Sequence, residues 1–142
     1  MFLKQLSVFI ENRTGSLDDV LGTLAKNNIN IVALSLADTA EYGMLRVIVG
    51  EPEKAQEVLK AARFSAKLTD VICIKVEHRA GSLSEILAKM SESDVGVEYM
   101  YAFSIMSNAF IAVKFSDPIK ATEILAELNA PTWSQEDVRA LQ

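Results

Sequence analysis

Residues 11–21 read ENRTGSLDDVL and residues 77–87 read EHRAGSLSEIL, an ungapped offset of 66 positions. The same offset carries Glu51-Pro52-Glu53-Lys54-Ala55 onto Asp117-Pro118-Ile119-Lys120-Ala121. A shift that stays constant across helix-like and strand-like patterns marks two copies of one folding unit. Each copy enters a helix through a polar turn, Gly15-Ser16 in the first and Gly81-Ser82 in the second.

Ahead of the turns, Leu6, Val8 and Ile10 alternate, as do Ile72, Ile74 and Val76, which predicts strands over 3–10 and 72–76. Behind them, Leu17, Val20, Leu21 and Leu24 form a helical stripe. Leu83, Ile86, Leu87 and Met90 repeat it. Ser16 with Asp19, and Ser82 with Glu85, have capping-box spacing. Both helices are expected to stop at Asn27-Asn28 and Ser93-Asp94.

Two strands follow in each copy. They are expected at 29–37 and 43–49, joined across Asp38 to Tyr42, and again at 95–104 and 108–115. Pro52 and Pro118 each open a second helix, at the position where a missing N–H costs nothing. A short strand closes each copy, at 64–68 and 130–133. Lys67 to Asp70 reads as a polar join, and Ser134 with Asp137 as the start of a tail helix.

Each copy is thus β-α-β-β-α-β. The fold class is α+β, two ferredoxin-like units packed side by side. The domains are residues 1–69 and residues 70–142, the second with a short C-terminal tail. Helices are expected on one face of each antiparallel sheet. Phe9, Met44, Ile48 and Phe110 fall out of phase with the core, on the face expected to stay open for a partner.

At 142 residues, each half is a unit small enough to be marginal by itself. A net charge of −5 argues against a nucleic-acid or anionic-membrane surface. One cysteine, Cys73, and one histidine, His78, leave no intrachain disulfide and a poor supply of soft metal ligands. Neither a signal-peptide pattern nor an apolar run of membrane-spanning length is present, so a cytoplasmic protein is expected. Nothing pairs a nucleophile with a base and an orienting acid, and no Gly-rich phosphate loop has the required spacing. The expectation is no catalytic residues, no metal, no cofactor and no enzyme activity.

The stretch Ile10-Glu11-Asn12-Arg13-Thr14-Gly15-Ser16-Leu17, followed by Asn28-Ile29-Asn30-Ile31, strongly resembles the ACT domain. So does Val76-Glu77-His78-Arg79-Ala80-Gly81-Ser82-Leu83, followed by Val95-Gly96-Val97. The resemblance covers residues 3–68 and 70–134. It implies a regulatory module that senses a small molecule, usually an amino acid, at an interface between two ACT domains. One wall would be the first turn and helix start: Asn12, Thr14, Gly15, Ser16 and Leu17, or His78, Ala80, Gly81, Ser82 and Leu83. The other would be a strand start, Asn30 and Ile31, or Gly96 and Val97. Glycine lets a backbone come close, and free N–H groups at a helix start attract a carboxylate. The pattern departs from the family at Thr14 and Ala80, where a proline is usual, and at Ile10 and Val76, where some members carry a histidine.

The resemblance thus implies allosteric regulation by ligand sensing. Its partners would be an amino acid, a second copy in a homodimer and a separate metabolic enzyme. The alternative is a ligand-free oligomerisation or protein-interaction module regulating such an enzyme. If the copies pair, one site would combine His78 with Asn30 and the other Asn12 with Gly96. The first has more polar side chains and is expected to bind better.

Overall fold

The computed structural model describes residues 2–38 and 41–141, Asp38 by its backbone alone. Of the expected join across Asp38 to Tyr42, Thr39 and Ala40 lie outside the described residues. The first copy runs β1 (Leu3–Glu11), α1 (Ser16–Lys26), β2 (Ile31–Asp38), β3 (Tyr42–Val49) and α2 (Pro52–Ala61). Then comes β4 (Ser65–Val76), followed by α3 (Ser82–Glu92), β5 (Val97–Ile105), β6 (Asn108–Phe115) and α4 (Pro118–Glu127). The chain closes with β7 (Thr132–Trp133) and α5 (Gln135–Arg139). The β-α-β-β-α-β order is therefore present twice.

β4 differs from expectation. The closing strand of copy one and the opening strand of copy two form one 12-residue strand. Lys67-Leu68-Thr69-Asp70 contains neither Gly nor Pro, so nothing in it forces a turn.

Two compact units result, and the boundary between them falls inside β4, after Thr69. The N-terminal unit is Lys4–Thr69 plus the chain from Gln135 onward; the C-terminal unit is Asp70–Ser134 plus the chain up to Leu3. Against the expected division into 1–69 and 70–142, the two chain ends are exchanged. Physical ties account for this. Gln135 Oε1 accepts from the Lys4 N–H at 3.3 Å, and its Nε2 donates to the carbonyls of Val49 and Gly50 at 3.4 and 3.2 Å. Phe2, in turn, packs on the core of the C-terminal unit.

In the N-terminal unit the strand order is β2-β3-β1-β4. β1 pairs antiparallel with β3, Val8 opposite Leu45, and Ser7 Oγ lies 3.3 Å from Thr69 Oγ1. The core joins Leu6, Val8 and Ile10 to Leu45, Val47 and Val49, under Val20 and Leu24 of α1 and Leu59 of α2. In the C-terminal unit, β4 lies between β6 and β7, and β5 forms the far edge. Ile72, Ile74, Ile111, Val113 and Phe115 pack there against Met90 of α3 and Leu125 of α4. Each fully buried large apolar side chain contributes roughly 1.5–3 kcal/mol.

All four long helices stop the same way. Asn28, Arg63, Asp94 and Asn129 have φ between 53° and 70°. The next N–H reaches back to Leu24, Leu59, Met90 and Leu125 at 2.9–3.0 Å. This is the Schellman ending, in which one left-handed residue lets an orphan carbonyl be satisfied.

The second sheet face is covered in part. Of the residues expected there, Phe9 is exposed and Met44 half-buried, whereas Ile48 and Phe110 are buried. Phe110 is covered by its own unit: Trp133 lies 4.3 Å away, centroid to centroid, and Phe103 5.6 Å. Ile48 sits near the end of β3, where Gln135 brings α5, and Val138 of that helix is itself fully buried.

Candidate functional site

β1 ends at Glu11 and the chain turns at once. The Arg13 N–H donates to the Glu11 carbonyl at 2.9 Å, Ser16 N–H to Arg13 at 3.3 Å, and Asp19 N–H to Gly15 at 3.0 Å. The second copy repeats this: Arg79 to Glu77 at 2.9 Å, Ser82 to Arg79 at 3.4 Å, Glu85 to Gly81 at 3.0 Å. Gly15 has φ 93° and Gly81 φ 88°, while a Cβ at either would meet nothing within 4 Å. Torsion, and not crowding, is therefore what demands glycine at these two positions.

The expected capping boxes do not form. Gly15 and Gly81 are the N-caps, with no side-chain cap bond, and Ser16 and Ser82 begin the helices. A serine already inside the helix cannot reach forward to cap it. Ser82 Oγ instead donates back to the Glu77 carbonyl at 2.8 Å. Ser16 is as deeply buried, but among the described residues its Oγ has no hydrogen-bond partner.

The arginines differ too. Arg79 Nε donates to Glu77 at 2.8 Å, and its two terminal nitrogens fork onto the Glu85 carboxylate at 3.1 and 2.7 Å. The Glu85 hydrogen bonds, followed by that to Glu77, hold Arg79 above its ordinary pKa; the Arg79 hydrogen bond and charge hold Glu85 below its own. Arg13 bonds Glu11 at 3.0 Å, but the shorter Asp19 only approaches its guanidinium at 3.6 Å.

A hollow lies beside each turn, inside its own unit. In the N-terminal unit it measures about 330 Å³, and Asn12, Ser16 and Leu17 line it together with Ile10, Leu36 and Gly43. In the C-terminal unit it measures about 410 Å³, lined by His78, Ala80, Ser82 and Leu83 with Ala102, Ala109 and Phe110. Leu36 and Ala102, and Gly43 and Ala109, stand at the repeat offset. A further hollow of about 130 Å³ lies beside the Arg79–Glu85 pair.

Thr14, Gly15 and Gly81 shape the turns without lining these hollows. Asn30 and Ile31 stand where β2 begins, Gly96 and Val97 where β5 begins, and none of the four lines the turn hollow of its own unit. Asn30 is exposed. Gly96 is engaged with Ser116, its N–H donating to Oγ at 2.8 Å and its carbonyl accepting from the Ser116 N–H at 2.8 Å. Leu36, Gly43, Ala102 and Ala109 were missed by sequence reasoning. Their register opposite the turn was the available signal: Gly43 pairs with Ile10 and Ala109 with Val76. Among the described residues no group of three potential metal ligands occurs. No helix there is long and apolar enough to cross a membrane.

A family model described as an ACT domain pair matches residues 1–141. The crystal structure of protein BT0572 from Bacteroides thetaiotaomicron is 38% identical, with a TM-score of 0.92, covering 98% of this chain and 96% of that one. The ligand-free regulatory subunit of aspartate kinase from Thermus thermophilus shares the fold at 12% identity. Its TM-score is 0.60, with 87% of this chain and 90% of that one covered. The same subunit from Thermus flavus gives 13%, 0.60, 87% and 90%. No curated protein matches the chain.

Proposed function

The chain belongs to the ACT domain pair family, and from that premise we propose that it is a regulatory protein that binds a small amino acid and performs no catalysis. The observation that carries the reading is the doubled turn. In each unit a left-handed glycine delivers a helix start to the rim of a hollow with polar and apolar walls. N–H groups of a first helical turn lack intrahelical partners and attract a carboxylate. Asn30, Ile31, Gly96 and Val97 stay in the reading as the second wall the family resemblance implies. Binding regulates only if it favours one state over another. The output would pass to a second copy or to a separate metabolic enzyme.

A thermal-shift panel of the individual amino acids tests this. A ligand at a hundredfold its Kd adds roughly 2.7 kcal/mol of stability. A shift with one amino acid or a close pair is expected. No shift with any would favour the second reading, a ligand-free interaction module. That reading draws on the edge strands. On β2, Leu34 and Leu36 are 46% and 47% exposed; on β5, Val97 and Met100 are 39% and 43% exposed. Such edges are templates for strand pairing.

A further inference from the structure

We infer that the N-terminal unit carries a second binding site, beyond the turn hollow, for a phosphate monoester of a small apolar molecule. A hollow of about 320 Å³ lies where the end of β1 meets the chain between α2 and β4. That is room enough for a small ligand. Leu36 and Gly43, which bound the turn hollow, do not line this one; Arg63, Phe64 and Ser65 do. Phe9 and Ile10 add apolar surface, and Arg13 adds a second cation. Glu11 lines the hollow too, but its carboxylate accepts from Arg13 Nε at 3.0 Å. Arg63 is exposed, and among the described residues its guanidinium has no hydrogen bond or ion pair.

Arg63 also sits where an arginine is out of place. Its φ is 70°, at the left-handed end of α2. The other three long helices place Asn28, Asp94 and Asn129 there, short polar residues that tolerate the conformation. A long cation held in that conformation is an outlier whose cost points to a use. The C-terminal unit lacks these features. Asn129, Ala130 and Pro131 stand at the repeat offset of Arg63, Phe64 and Ser65, and Lys75 at that of Phe9. The hollow there is about 130 Å³, and Arg79 is spent on Glu77 and Glu85. Arg13, by contrast, bonds Glu11 through Nε, with Asp19 no closer than 3.6 Å to its terminal nitrogen. Two guanidinium groups on one hollow suit a phosphoryl group, whose three oxygens and nearly double charge engage both. One fork already satisfies a carboxylate. The rings of Phe9 and Phe64 would take the apolar remainder of the ligand.

The test is calorimetric titration of the full chain with phenyl phosphate, inorganic phosphate and benzoate, each alone. One equivalent of phenyl phosphate per chain is expected. Inorganic phosphate, which lacks the ring, and benzoate, which lacks the phosphoryl group, should each bind about tenfold more weakly or worse. Arg63→Asn should weaken phenyl phosphate about tenfold, the loss of a hydrogen bond between charged groups. The same change should raise, or leave unmoved, the melting temperature of the free protein, because asparagine fits the left-handed position better. Arg63→Lys, which keeps the charge without the fork, should fall between the parent and Arg63→Asn in affinity. Asn129→Gly, at the matching place in the C-terminal unit, should leave the affinity unmoved. No binding of phenyl phosphate, two equivalents per chain, an unchanged affinity in Arg63→Asn, or equal affinity for inorganic phosphate or benzoate would each overturn the inference. All of these leave the amino-acid reading standing, because the thermal-shift panel tests that separately.

Discussion

Two residues per turn fix its shape, and both make measurable claims. Gly15 and Gly81 hold φ near 90° with open space where a Cβ would stand. Gly15→Ala and Gly81→Ala should therefore each cost roughly 1–2 kcal/mol in urea unfolding, all of it torsional. Asparagine, which tolerates the left-handed region, should cost less at either position. Equal losses for alanine and asparagine would sink the torsional account. The Arg79–Glu85 pair makes a second claim, about pH. Glu85 is held below its ordinary value near 4.5 by Arg79. A depressed carboxyl contributes stability that is full above its unfolded pKa and is lost as pH falls through the folded one. Glu85→Gln should thus lower the melting temperature at pH 7, and the gap to the parent should close in acid below that depressed value. Both groups are half-exposed or more, so the gap is expected to be small and to shrink in high salt. A gap that persists unchanged in acid would rule this out.

Among the elements, α5 shows how few residues decide where a segment docks. Five helical residues cannot hold a helix by propensity, yet Gln135 makes three hydrogen bonds to the backbone of β1 and the end of β3. Val49 and Gly50 are buried, so losing the donor leaves their carbonyls partly unmet. Gln135→Ala should cost about 2 kcal/mol, the net loss of these bonds plus that penalty. It should also speed cleavage of the C-terminal tail in limited proteolysis; unchanged stability and cleavage would show the bonds to be idle. Alternation and stripes made the helices and inner strands legible, because Leu6, Val8, Leu45 and Val47 answer to one buried face. Burial of the second face was not legible. Phe110 reads as surface because its cover, Trp133, arrives from sequence with no periodic signal, and Ile48 is buried although it too is out of phase with the core. The long β4 was likewise hidden, since Lys67 to Asp70 is polar like a loop although it contains neither Gly nor Pro. At the site, repetition exposed the turns and their glycines. It could not separate Ser16 from Ser82, because the difference lies in whether the hydroxyl reaches a carbonyl, as Ser82 does at Glu77 and Ser16 does not among the described residues.

At the scale of the molecule, duplication and the exchange of chain ends pull in opposite directions. Each copy carries its own sheet, helices and core, as if either could stand alone. Each compact unit nevertheless takes residues from the far end of the chain. Units of this size leave little margin, so a few terminal residues weigh heavily. A fragment of residues 1–69 has the complete core of copy one but lacks Gln135 and the buried Val138. It should unfold at a lower temperature than the same fragment with residues 135–142 fused to it by a short flexible linker. Burial of Val138 alone is worth roughly 1.5–3 kcal/mol, and the Gln135 bonds add to it. The difference should therefore be plain in calorimetry, and Gln135→Ala in the fused fragment should take part of it back. Should the plain fragment match the fused one, the C-terminal segment would be a passenger, and the division at residues 69 and 70 would be the whole of the domain structure.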